Sequence, residues 1–208
     1  MKLQISFDIP DLEKSLALAA EVEMYADTIE IGTLLLYSNG IKAITQFRER
    51  FSNKPLFVDT KIMERSKDTV TLCAQAGADW VTVMAGAGKQ VIHTACTVAH
   101  EFGKKVMLDT TDASSLGQTA LEAQSLGADA ILFHQPLDED ERIQLVEYFD
   151  MVKGNTSLPI FIAAPVSRQN IGELLSVSAT GIIIGNPITQ SKNPREEAAY
   201  FSELIHTK

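Results

Sequence analysis

The sequence contains no apolar run near the roughly 18 residues that a bilayer-spanning helix requires, and its mean hydropathy is close to neutral. No membrane association is expected. Residues 1–9 lack a basic segment followed by an apolar stretch, so the expectation is no secretory leader and a cytoplasmic place. Runs rich in lysine or arginine are missing as well. With 27 acidic against 18 basic residues, the formal charge of −9 argues against a general nucleic-acid partner. Cysteine is scarce. Cys73 and Cys96 lack metal-ligand spacing and sit among alanines in helix-like segments, which reads as two buried free thiols.

What the chain does have is apolar residues in short, regularly spaced runs. At 208 residues and 45% hydrophobic it can bury a full core, and a single domain over 1–208 is the simplest division. Strand-like runs begin near Leu3, Thr28, Pro55, Trp80, Lys105, Ala130, Pro159 and Gly181. Between them lie segments of helical periodicity, such as Leu12, Leu16, Ala19 and Ala20, or Val91, Ala95, Val98 and Ala99. Ala76-Gly77-Ala78-Asp79 and Leu126-Gly127-Ala128-Asp129 each end a helix and precede a continuous apolar strand. Strands apolar on both faces, alternating with amphipathic helices, imply βαβ units and a parallel sheet. Eight such units predict an α/β fold of the (β/α)8 TIM-barrel type, compact at about 25 residues per unit. An open doubly wound sheet is the alternative. Its Gly-rich first turn is replaced here by Asp8-Ile9-Pro10-Asp11.

In such a barrel the chemistry sits at the C-terminal ends of the strands. Read in order, those ends are Asp8; Glu30; Asp59 with Lys61 and Glu64; Met84-Ala85-Gly86; Asp109; His134; Ala163-Ala164-Pro165; and Gly185-Asn186-Pro187. Five of eight carry an ionisable group directly after the last apolar residue, and that shared phase points to an enzyme. Glu30 and Asp59 lie on adjacent strands and offer two carboxylates to a hard cation such as Mg2+; the alternative is that Glu30 pairs with Lys61. Lys61, two residues past Asp59, is expected on the same side of an extended segment, protonated among acids and suited to act as an electrophile or proton donor.

His134 has the chemistry of an acid or base near neutrality, or a structural role. Asp109 either orients a polar substrate or binds a neighbouring lysine. His93, His100 and His206 fall on helices and read as solvated. A phosphate site in this fold usually uses backbone N–H groups after the seventh and eighth strands. Gly185 and Asn186 can supply donors there. The earlier loop, at Ala164, is compromised because Pro165 has no N–H. Ser167 and Arg168 would compensate, unless Ser167 is a helix N-cap.

These residues resemble the orotidine 5′-monophosphate decarboxylase superfamily, and within it the branch of 3-hexulose-6-phosphate synthase and 3-keto-L-gulonate-6-phosphate decarboxylase. The resemblance covers nearly the whole chain: Met1-Lys2-Leu3-Gln4, Ile29-Glu30-Ile31-Gly32-Thr33, Asp59-Thr60-Lys61, Ala76 to Val83, Asp109, His134 and Asn193-Pro194. It implies that Glu30 and Asp59 hold Mg2+, that Asp8, Lys61 and Asp109 contact a sugar phosphate, and that His134 assists proton transfer. It also implies a homodimer in which the acid ending the Asp-x-Lys-x-x-Asp motif, Glu64 here, reaches the partner's site.

The shared chemistry is an enediolate of a pentulose phosphate. The synthase adds it to formaldehyde; the decarboxylase forms its counterpart by losing CO2. His134-Gln135-Pro136-Leu137-Asp138 resembles the synthase pattern, with no arginine within five residues of His134. Two departures stand out. Glu64 replaces the motif's final Asp, and Ala164-Pro165 replaces a Gly-Gly pair. They keep open a divergent barrel that binds without catalysing.

Overall fold

The computed structural model describes residues 1–135 and 145–207, and the segment Pro136-Leu137-Asp138 lies outside them. Eight parallel strands close into a barrel: β1 (Lys2–Phe7), β2 (Thr28–Ile31), β3 (Leu56–Ile62), β4 (Trp80–Met84), β5 (Lys105–Asp109), β6 (Ala130–His134), β7 (Ile160–Ala163) and β8 (Gly181–Ile184). Each pairs with the next in the chain, and β8 pairs with β1. The TIM-barrel expectation holds, and strand starts fall within one residue of those read from the apolar runs. A buried parallel strand has two apolar faces, so its run begins where the strand does.

Alternation then divides the side chains into two sets. One set faces the surrounding helices and joins the large core: Leu3, Ile5 and Phe7; Ile29 and Ile31; Val81 and Val83; Ile160 and Ile162. The other faces the barrel axis. From β3 and β5 to β8 it is apolar, with Phe57, Met107, Leu132, Phe161 and Ile183 in a cluster of their own. From β1 and β2 it is polar, with Gln4, Ser6, Thr28 and Glu30 buried, and Thr82 of β4 is buried beside them between Trp80 and Met84. Half the barrel interior is therefore packed with hydrocarbon and half with hydrogen-bonding groups. The polar half leads upward to the strand ends that carry charge.

Both thiols are free and buried, as expected. Burial pushes Cys73 up to about 11 and Cys96 to about 12, so both stay protonated and inert. Among the described residues, no helix is long and apolar enough to cross a membrane.

Candidate active site

Asp8, Glu30, Asp59, Asp109 and His134 share the axis-facing phase of their strands, and all reach the same mouth of the barrel. Asp109 is fully buried and accepts four hydrogen bonds. Lys61 Nζ lies 2.9 Å from Oδ2 and His134 Nδ1 3.0 Å from it; Thr111 N–H at 2.9 Å and Thr111 Oγ1 at 2.5 Å reach Oδ1. Burial opposes its charge, but the His134 and Lys61 contacts outweigh burial and hold the carboxyl far below its usual range. An ionised Asp109 can only accept, so His134 donates its Nδ1–H to it and keeps Nε2 out of that contact. Lys61 Nζ also lies 3.4 Å from Asp59. Burial works against the ammonium, yet Asp59 and Asp109 together raise its pKa above the ordinary lysine value. A lysine so held is a cationic donor rather than a nucleophilic amine.

Lys61 and Asp59 meet, but not along a simple extended segment. The β3–β4 register shifts between Val58 and Ile62, and Lys61 has φ of 46°, in the left-handed region. The other correction concerns Glu30. Among the described residues the ion pairs of Lys61 go to Asp59 and Asp109, not to Glu30. Glu30 is buried and takes a hydrogen bond from Gln4 Nε2 at 2.5 Å. Burial, then the charges of Asp59 and Asp8, push its carboxyl up to about 8 against the pull of Gln4 and Ser6.

A buried acid whose charge is opposed by its neighbours fits a divalent cation, which would remove that penalty. No group of three or more His, Cys, Asp or Glu residues with metal-binding geometry occurs among the described residues. Two carboxylates, with water and substrate oxygens to complete the shell, are the donor set that a Mg2+ ion would find there. Asp59 is held ready by Thr33 Oγ1 (2.5 Å) and Thr82 Oγ1 (2.9 Å).

Asp8 stands beside this pair, accepting from Ser6 Oγ (3.1 Å) and the Leu34 N–H (3.3 Å). It lies so close to the β2 turn that a Cβ on Gly32 would come within 2.3 Å of its carboxylate. The glycine makes that approach possible. Glu64 is exposed and makes no hydrogen bond or ion pair among the described residues. It is not gathered into the mouth with the others.

The loops after β7 and β8 are unequal. Asn170 ties up the first: its Oδ1 accepts the Ser167 N–H at 2.7 Å, and its Nδ2 donates to Pro165 O at 2.7 Å. Ser167 therefore stabilises a turn, and Arg168 points elsewhere. The Arg168 guanidinium binds both oxygens of Glu197 (3.2 and 2.8 Å) and stacks 4.1 Å from the Tyr200 ring. Ala164 is buried beneath this turn. In the second loop Gly185 caps a short helix, Asn186–Thr189, and Asn186 Oδ1 accepts from Gln190.

The sequence reading missed the hydroxyls behind the acids. Asp59-Thr60 in β3 and Asp109-Thr110 at the end of β5 repeat one arrangement. Thr60 Oγ1 donates to Thr82 O and accepts from Thr82 N–H; Thr110 Oγ1 donates to Leu132 O and accepts from His134 N–H. The signal was the repeated Asp-Thr pair.

A model of the orotidine 5′-phosphate decarboxylase / HUMPS family matches residues 1–201. The chain belongs to that family. It is 30% identical over 210 residues to a 3-hexulose-6-phosphate synthase of Staphylococcus aureus, covering all of both chains. It superposes on the crystal structure of 3-hexulose-6-phosphate synthase from Salmonella typhimurium with a TM-score of 0.94 at 28% identity, covering 100% of this chain and 99% of that one. A 3-keto-L-gulonate-6-phosphate decarboxylase of Vibrio cholerae has the same fold (TM-score 0.84, 24% identity, 99% and 97% covered). The relatives named here are enzymes, synthases and a decarboxylase, which supports a catalytic lyase role for this chain.

Proposed function

We propose that the protein is a lyase of the 3-hexulose-6-phosphate synthase type, joining formaldehyde to C1 of ribulose 5-phosphate. The observation that carries this reading is the Lys61–Asp109–His134 cluster beside the Glu30–Asp59 pair. The reading is supported by the Lys61 ammonium and the His134 ring both meeting Asp109, with the two acids Glu30 and Asp59 on the neighbouring strands. The full-length likeness to named synthases supports the choice of substrate.

In this proposal Glu30 and Asp59 hold Mg2+, which supplies Lewis-acid stabilisation of negative charge developing on the substrate oxygens. His134 Nε2 takes the C1 proton, while Asp109 fixes the ring through Nδ1 and stabilises the imidazolium. C1 then bonds to the carbonyl carbon of formaldehyde, whose oxygen receives the proton and becomes the new hydroxyl. Lys61 donates to the substrate oxygen on which charge collects. Asp8 orients a hydroxyl of the sugar, and the Ala164, Gly185 and Asn186 backbone receives the phosphate end. Glu64 acts across a homodimer, at the partner's site. A cytoplasmic place belongs to the same proposal, with the sugar phosphate and a second copy of the chain as the partners and neither nucleic acid nor membrane among them.

A non-catalytic sugar-phosphate barrel is the second reading. The β7 loop favours it, since its Ser167 N–H is spent on Asn170 and Pro165 has none. Proton exchange at C1 of ribulose 5-phosphate in D2O, followed by NMR, separates the two. The synthase reading expects exchange with Mg2+ that stops on chelation. A folded protein with no exchange at any Mg2+ concentration supports the second reading.

A further inference from the structure

Where the β3–β4 ladder breaks, one hydroxyl is shared between the two residues that matter most. Regular pairing stops at Val58 and resumes at Ile62, so Asp59, Thr60 and Lys61 lie in the interruption. Lys61 adopts a left-handed backbone there, which a non-glycine residue does not hold without support. The support is Thr82. Its Oγ1 accepts the Lys61 N–H at 2.8 Å and donates to Asp59 Oδ1 at 2.9 Å.

The directions of both bonds are forced. An amide can only donate, so the single hydroxyl proton is committed to the carboxylate. Thr82 is fully buried and cannot trade either partner for water. Its own backbone is locked to Thr60 from both sides, by an N–H donated at 3.2 Å and a carbonyl accepting at 2.7 Å.

We infer that Thr82 is a positioning residue of the reaction centre, whose hydroxyl sets the turn that aims Lys61 between Asp59 and Asp109 while holding Asp59 toward Glu30. This rests on the proposed roles of Lys61 and Asp59. Thr82 touches neither substrate nor proton. It acts through both neighbours at once, which is why the hydroxyl and not the volume of the side chain is required. Valine keeps the shape and removes the oxygen, leaving the Lys61 N–H and Asp59 Oδ1 each without a partner. Serine keeps the oxygen.

The test compares Thr82→Val and Thr82→Ser with the unsubstituted protein by two readouts independent of turnover. Amide exchange reports the Lys61 N–H directly, and calorimetry with Mg2+ alone reports the carboxylate pair. Thr82→Val is expected to speed Lys61 exchange by about tenfold or more and to weaken Mg2+ binding by roughly tenfold to a hundredfold, with Thr82→Ser restoring both. Either quantity unchanged in a folded Thr82→Val protein overturns the inference. If the unsubstituted protein does not bind Mg2+, the reading of Glu30 and Asp59 fails and Lys61 exchange alone decides the role of Thr82. If Thr82→Val does not fold, the unsubstituted protein still decides: a protected Lys61 amide supports the inference, and an unprotected one overturns it.

Discussion

The two ends of this barrel use the same side chains for opposite purposes. At the lower end, Asp27, Asp79 and Asp129 directly precede β2, β4 and β6. Each accepts the N–H of a residue at the start of the previous strand, respectively Leu3, Leu56 and Val106, at 2.8 to 2.9 Å. Each also returns its own N–H to the carbonyl of that same residue. Thr180, before β8, makes the same two-way clamp on Ile160 with a hydroxyl. Nearby side chains complete these acids: the His206 ring for Asp27, the Arg48 and Lys104 cations for Asp79, and the His100 ring for Asp129. At the upper end no such clamp on a strand start is made among the described residues: Glu30 and Asp59 take side-chain donors only, from Gln4, Thr33, Thr82 and Lys61, and Asp8 takes Ser6 Oγ and the Leu34 N–H, with the three acids gathered side by side. A lone carboxylate bridging the starts of two strands is structural, whereas carboxylates gathered at one mouth oppose each other's charge and suit a ligand that brings positive charge.

The largest expected effect would break this contrast if it failed. Asp59→Asn should cut turnover of ribulose 5-phosphate and formaldehyde on the order of a thousandfold. Its melting temperature should change little. Asp79→Asn should do the reverse, leaving kcat intact and costing about 1–2 kcal/mol, since the side chain is partly exposed and its ion pairs are screened. Steady-state kinetics and thermal melts on both variants check this. Two variants with the same profile would show that the ends are not functionally distinct.

A second, smaller effect sharpens the contrast through pH. Burial opposes ionisation of Asp79, but the Leu56 N–H, Lys104 and Arg48 outweigh it and lower its pKa. Its contribution to stability is therefore present above the unfolded carboxyl value and lost as pH falls through the lower folded one. Glu30 runs the other way. Raised to about 8, it favours the folded state fully below the ordinary carboxyl range and loses that contribution as pH rises toward 8. In chelator, stability from denaturant titration should fall between pH 5 and 8 by up to a few kcal/mol. Glu30→Gln should flatten that slope, and added Mg2+ should reverse it. Asp79 stays ionised throughout that window and contributes no slope. A flat profile in the chelated, unsubstituted protein would remove the strain ascribed to the upper pair.

Much of this contrast was legible in the sequence, and the illegible part has a common cause. The strand starts were readable because Ala-Gly-Ala-Asp and Leu-Gly-Ala-Asp mark a helix end, a left-handed glycine and the next strand together. The acids of the upper end were readable because each follows its last apolar residue in one phase. Thr60, Thr82 and Thr110 were not. Threonine favours strands for its shape alone, so a threonine in a strand announces no hydrogen bond. Gln4 was hidden in the same way, inside an apolar run. Arg168 misled because Glu197 and Tyr200 come from a helix that begins at Pro194, too far along the chain for spacing to reveal. The left-handed Lys61 follows from the Thr82 contact rather than from any residue preference of its own.

The smallest effect asks whether the lower clamps need charge at all. Thr180 occupies the position that Asp27, Asp79 and Asp129 fill elsewhere, and its hydroxyl accepts the Ile160 N–H at 3.2 Å, longer than the three carboxylate bonds. Thr180→Val should cost about 1 kcal/mol, a fall of roughly 2–4 °C in Tm for a chain of this size. Thr180→Asp should restore the wild-type Tm, because an acceptor is returned to the same amide. A rise above wild type would mean that a charged acceptor strengthens the clamp even without a dedicated cation. A fall to the level of Thr180→Val would mean that the other three aspartates depend on their histidine, arginine and lysine neighbours. In that case the lower end, like the upper, would owe its behaviour to which charges the fold places side by side.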